Sequence, residues 1–179
     1  MAISFEVPDE YPRILLAVVV LSLQAVIISF ALVVPARIKI FNNNFMKEKF
    51  AKEHAEHFPG QKAPFMGFPD AGSGRYADSL AYKDWVAFNN VMRVHLNIVE
   101  QLPFLIPFML VGGLIIPRIV MYLAWLGVFS RAAYVIGYVT KGANSRLFGA
   151  AFNLFPNYAV AFFSLYVLVS NAVSHGGFF

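Results

Sequence analysis

Between Asn89 and Phe104 the chain reads N-N-V-M-R-V-H-L-N-I-V-E-Q-L-P-F, a run in which ionisable groups lead into a strongly apolar stretch. At helical spacing Asn90, Arg93, Asn97 and Glu100 fall at i, i+3, i+7 and i+10, which places a cation, two amides and a carboxylate on one stripe. A second set, Arg131, Tyr134 and Tyr138, repeats the device at i, i+3 and i+7. If these helices cross a membrane, each buried charge costs about 2.5–3.5 kcal/mol, so Arg93, Glu100 and Arg131 must face protein or a wet cavity. The stripe alone fits a structural ion pair as well as a ligand site.

The elements that carry these residues are membrane spans. Of 179 residues, 59% are hydrophobic and only 13% charged, against about 25% charged in an ordinary soluble domain. Mean hydropathy is +0.62. The net charge of +4 does not point to nucleic acid, because the basic residues sit between apolar blocks and form no patch with interleaved aromatics. With no cysteine, the chain has no disulfide framework, thiolate metal site or cysteine nucleophile, and any thiol chemistry must use a thiol brought by a substrate.

Residues 14–34 contain no charge and reach about 30 Å as a helix, the thickness of a bilayer core. The acidic leader (Glu6, Asp9, Glu10) argues for a retained first span over a cleaved signal peptide, with Pro35, Arg37 and Lys39 marking its exit. Further spans are expected at about 85–111, 119–139 and 146–172. Pro103 and Pro107 should kink the second, and Gly112 and Gly113 should open the connection after it. Asn144 or Ser145 is a candidate N-cap for the fourth. The expected fold is all-α, an integral membrane four-helix bundle forming a single membrane domain.

The one sizeable hydrophilic region, 41–83, opens with a short helix whose Phe45, Met46, Phe50 and Phe58 face one side and Lys47, Lys49 and Lys52 the other, suited to a lipid interface. Its H-A-E-H (His54 to His57) matches neither H-E-x-x-H nor H-x-x-E-H and reads as a solvated face, with no metal site. Pro69 to Asp78 lacks the ending of a phosphate loop and reads as a structured turn. Eight Lys and Arg lie between Arg37 and Lys83, so the positive-inside rule puts this region and the 140–146 connection in the cytosol, or in the matrix for a mitochondrial membrane.

The motif R-V-H-L-N-I-V-E (Arg93 to Glu100) resembles the R-A-H-x-N-x-x-E signature of the membrane-associated proteins in eicosanoid and glutathione metabolism, the MAPEG family. Y-V-I-G-Y (Tyr134 to Tyr138), followed eight residues later by Arg146, is similar to that family's third-span tyrosines and fourth-span arginine, in particular those of its type-three microsomal glutathione S-transferase branch. The resemblance implies a MAPEG-like homotrimer binding glutathione between neighbouring subunits, open to the cytosolic side. It implies that Arg93, Asn97 and Glu100 hold the tripeptide's carboxylates and amine, with His95 beside them. Tyr134 and Tyr138 would line the site, Arg37 would be the basic residue at the end of the first span, and Arg146 would activate the thiol. Gln101 stands where leukotriene-C synthases carry tyrosine and Ile38 where they carry a second arginine, which argues against that particular synthesis.

The expected function is a membrane-bound glutathione transferase or peroxidase acting on lipophilic electrophiles or lipid hydroperoxides, with glutathione as cosubstrate. Its partners would be the bilayer, a lipophilic substrate and its own copies, in the endoplasmic reticulum or another endomembrane. The rival is a non-catalytic subunit of a larger membrane complex, such as a mitochondrial respiratory assembly.

Overall fold

A computed structural model describes the chain from residue 7 to residue 174, apart from the side chains of Arg146 and several other positions of the last helix. Six α-helices account for most of it: α1 (Tyr11–Ile28), α2 (Val34–Ile40), α3 (Asn43–His57), α4 (Tyr82–Ile115), α5 (Pro117–Lys141) and α6 (Arg146–Ser174). No strand occurs among the described residues. Four stretches are long and apolar enough to cross a bilayer, namely Tyr11–Ile40, Tyr82–Ile115, Pro117–Lys141 and Ala143–Ser170. The protein is therefore an all-α integral membrane protein of the four-span kind.

The first span runs past its expected exit. Pro35 has no N–H to donate, and the helix meets this with a π-helical turn at Ser29–Val33, after which α2 carries on to Ile40. Proline at the start of α2 sits where its missing donor is tolerated. The second span is longer than expected as well. It holds helical geometry through Pro103 and Pro107 and breaks only at Ile116.

Gly112 and Gly113 do not open a connection. They lie inside α4, fully helical and buried. A Cβ on Gly112 would stand 2.9 Å from Val160 Cγ1, and one on Gly113 would stand 2.9 Å from Ile14 Cδ1. Both glycines are there for close helix packing, the usual role of small residues where membrane helices touch. Sequence spacing alone does not separate this use from a turn.

The chain divides into two compact units, one formed by residues up to Gln24 with those from Ile98 onward, the other by Ala25–Asn97. In the first, Ile14, Ala17 and Leu21 of α1 pack with Leu105 and Met109 of α4, Val120, Ala124 and Val128 of α5, and Val160 of α6. Their spacings of three, four and seven are those of single helix faces.

The second unit has a core of its own, in which Phe41, Met46, Phe50, Ala77, Phe88 and Met92 are buried together. Phe88 meets Phe41 edge to face at 5.0 Å, and Tyr76 meets Phe50 at 4.7 Å. The apolar side of α3 is thus spent largely on protein, with Met46 and Phe50 buried and Phe58 alone of the expected lipid-facing set left mostly exposed. Asn42 caps this helix, its Oδ1 accepting the Phe45 N–H at 3.0 Å.

Candidate functional site

Every candidate residue but Arg37 lies on or beside a membrane-crossing helix from α4 onward. Within α4, Val94 and Ile98 are buried, and this fixes which face remains for the others. Arg93 and Glu100 are exposed on the single chain, and His95 and Asn97 are half-buried. The stripe anticipated from spacing is thus a stripe in the helix, with its charged members uncovered. Charges left uncovered on a membrane-crossing helix are expensive against lipid.

In α5, Tyr134 and Tyr138 are both buried, one helical turn apart, with ring centroids 5.6 Å apart. Arg131, one turn earlier, is 3% exposed and donates from Nη2 to Gln101 Oε1. Its guanidinium carbon lies 5.8 Å from the Tyr134 ring centroid. A buried cation thus sits beside the Tyr134 phenol, and among the described residues no carboxylate pairs with it. Gln101 is the participant that reading the sequence missed. It appeared only as a departure from a tyrosine, and its link to Arg131 thirty residues away is not a pattern in the chain.

The connection into α6 is closed by Ser145. Its hydroxyl lies within hydrogen-bond reach of the carbonyls of Gly137, at 2.5 Å, and Gly142, at 2.8 Å, which share its single proton, so it ties the end of α5 down in addition to preceding α6. Gly142, at φ +79°, supplies the left-handed residue that ends α5, with its N–H on the Tyr138 carbonyl. Arg146 is thereby the first residue of α6, and its side chain lies outside the described part of the structure.

Arg37 is placed differently from the rest. It is 4% exposed and donates to the carbonyls of Met66 at 2.9 Å and of Asp70. Its guanidinium lies 4.2 Å from the centroid of the Phe68 ring and 5.5 Å from that of Phe88. The carbonyls are available because the loop is wound around the Asp70 carboxylate. Asp70 Oδ1 accepts the N–H of Gly72 at 2.7 Å and of Gly74 at 3.0 Å, and Oδ2 that of Ala77 at 2.7 Å. The turn expected at Pro69 to Asp78 is this nest, and its signal in the sequence is an aspartate followed by glycines at +2 and +4.

At the other end of the loop region, His54 stacks on Phe58 at 4.9 Å and His57 Nδ1 lies 3.0 Å from the Glu53 carbonyl. Glu53 is paired with Arg75. Among the described residues no group of three or more His, Cys, Asp or Glu gathers as a metal site.

A family model, that of the MAPEG family, matches residues 14–166. The match takes in the α4 stripe, the α5 tyrosines, Arg146 and the whole 41–83 region. Comparison with curated proteins and with solved structures gives no match.

Proposed function

The chain belongs to the MAPEG family, and from that premise we propose that it is a membrane glutathione transferase of the type-three microsomal kind, able to use lipophilic electrophiles or lipid hydroperoxides. The observation that carries the reading is that one family match spans the carboxylate-binding, amine-binding and thiol-activating candidates in a single four-span chain. Glutathione presents two carboxylates, an ammonium and a thiol. Arg93 and Arg131 suit the carboxylates as forked donors, Glu100 suits the ammonium, and Asn97 and His95 supply neutral hydrogen bonds. Gln101 holds Arg131 in place, and among the described residues no carboxylate neutralises it. Arg37, engaged with Met66 and Asp70, serves the loop rather than the tripeptide in this reading.

A free thiol titrates near about 8.5, so only a few per cent is thiolate at neutral pH. Arg146 adds a full positive charge at the N-terminal turn of α6, where the helix dipole is itself positive, and both favour the thiolate. The sulfur then attacks the electrophilic carbon, and the leaving group departs with its bonding pair. With a hydroperoxide the sulfur takes the terminal oxygen, the alcohol is released, and a second glutathione closes the disulfide with loss of water. The exposed Arg93 and Glu100 support completion of the site by a second copy of the chain, as in a homotrimer.

Glutathione added to the purified protein in detergent should produce the ultraviolet absorbance of a thiolate, and a model electrophile should be conjugated. Arg146→Leu should lower kcat by roughly a hundredfold with a smaller change in glutathione affinity, whereas Glu100→Ala should weaken binding first. Absence of both thiolate signal and conjugation in the wild type would sink the proposal. A second reading, a non-catalytic subunit of a larger membrane complex, is favoured by the separate core of the 25–97 unit. Purification as a stoichiometric hetero-complex would support it.

A further inference from the structure

The 25–97 unit contains a cleft of about 530 Å³ between α3 and the Asp70 loop, a volume within the roughly 300–1,000 Å³ usual for small-molecule sites. We propose that this cleft binds a small amphipathic anion, a flat apolar body carrying one acidic group. It draws on none of the residues assigned above to glutathione.

Its apolar walls are aromatic. Phe50 and Tyr76 stand edge to face on one another, and Phe58 stacks against the His54 imidazole with an interplanar angle of 30°. Such rings offer a flat molecule both face and edge contacts. The polar lining includes His54, His57, Ser73 and Arg75 with the carboxylates of Glu53 and Asp70. The carboxylates do not make it an anion-repelling site. Asp70 is 7% exposed and spends both oxygens on three backbone N–H groups of its own loop.

Glu53 is engaged by Arg75, which contacts both its oxygens, at 3.0 and 3.1 Å, through the single nitrogen Nη2. Arg75 therefore keeps Nε and Nη1 for another acceptor, and its side chain is 74% exposed. An ion pair so exposed is worth little in water, so an incoming acid displaces or shares it at small cost. His57 is oriented by its Nδ1 contact with the Glu53 carbonyl. Because a carbonyl only accepts, Nδ1 carries the proton there, and Nε2 of the neutral ring is left as an acceptor for a protonated oxygen of the ligand's acidic group. Aromatic walls with an exchangeable arginine at the rim thus select a ligand that is apolar over most of its surface and acidic at one point.

The test uses the full chain in phosphatidylcholine nanodiscs, with empty discs as the blank and without glutathione, so that its outcome is independent of the transferase reading. Calorimetric titration with 1-naphthyl phosphate should show saturable binding at one site per chain, about tenfold or more tighter than inorganic phosphate or 1-naphthol, as expected when a charged hydrogen bond and ring contacts act together. Arg75→Gln should weaken it by about tenfold. Glu53→Gln, which removes the competitor for Arg75, should tighten it several-fold, and Lys47→Gln should leave it unchanged. No saturable binding, equal binding of inorganic phosphate, an unchanged affinity in Arg75→Gln, or weakening by Glu53→Gln would each overturn the proposal. Circular dichroism of the variants keeps a folding failure from being read as lost binding.

Discussion

Arg37 and Arg131 are both arginines on membrane-crossing helices and both almost fully buried, at 4% and 3% exposure, yet their surroundings differ in kind. Arg37 is surrounded by acceptors and rings from its own unit, with two backbone carbonyls and the faces of Phe68 and Phe88. Arg131 has one amide oxygen, from Gln101, and the neighbouring phenol of Tyr134. A buried cation stabilises a fold only when its donors are satisfied and its charge is offset. The first therefore reads as a fastening. The second reads as a charge held ready for an anion, which is why the transferase proposal gives Arg131 a carboxylate to bind.

The sharpest way to break the contrast is at the glycine beneath the Arg37 cage. Gly67 has φ +64°, and a Cβ there would sit 2.5 Å from the Phe41 ring. Gly67→Ala should cost about 3 kcal/mol, combining overpacking with left-handed strain. Early proteolysis of the 58–81 segment should reveal the loss, with the helices of the other unit intact. An unchanged digestion pattern would mean that the loop is not packed as described.

Arg37→Met comes next, with an expected loss of about 2–3 kcal/mol because the Met66 and Asp70 carbonyls lose a charged donor. The loss should appear in thermal unfolding monitored by near-ultraviolet circular dichroism, and glutathione affinity should change little. If instead affinity falls while stability holds, Arg37 belongs to the ligand after all. Arg131→Met should show the opposite balance, a stability change within about 1 kcal/mol and glutathione binding weakened about tenfold, since Met fills the space while removing the charge. Equal effects of the two substitutions would erase the distinction.

The membrane class, the four spans and the charged stripe were legible in the sequence because they depend on local period and on length, which the chain carries residue by residue. The same holds for the Asp70 turn, whose aspartate and glycines announce themselves. Three features were not legible. Pro35 reads as an exit, and only the π-helical turn that absorbs its missing donor shows the helix continuing. The pair Gly112 and Gly113 reads as a connection, although its use is close packing against Val160 and Ile14. The basic residue at the end of the first span carries no sign of its partners, the Met66 and Asp70 carbonyls to which it donates.

What the sequence by itself determined is therefore the material of the molecule: apolar helices long enough to cross a bilayer, and ionisable groups spaced to share a face. Tertiary structure decided which of those groups are spent and which remain. Whether a buried arginine finds two carbonyls or one amide depends on residues about thirty positions away brought within hydrogen-bond reach. Helical periodicity specifies a face, but only packing specifies what that face meets.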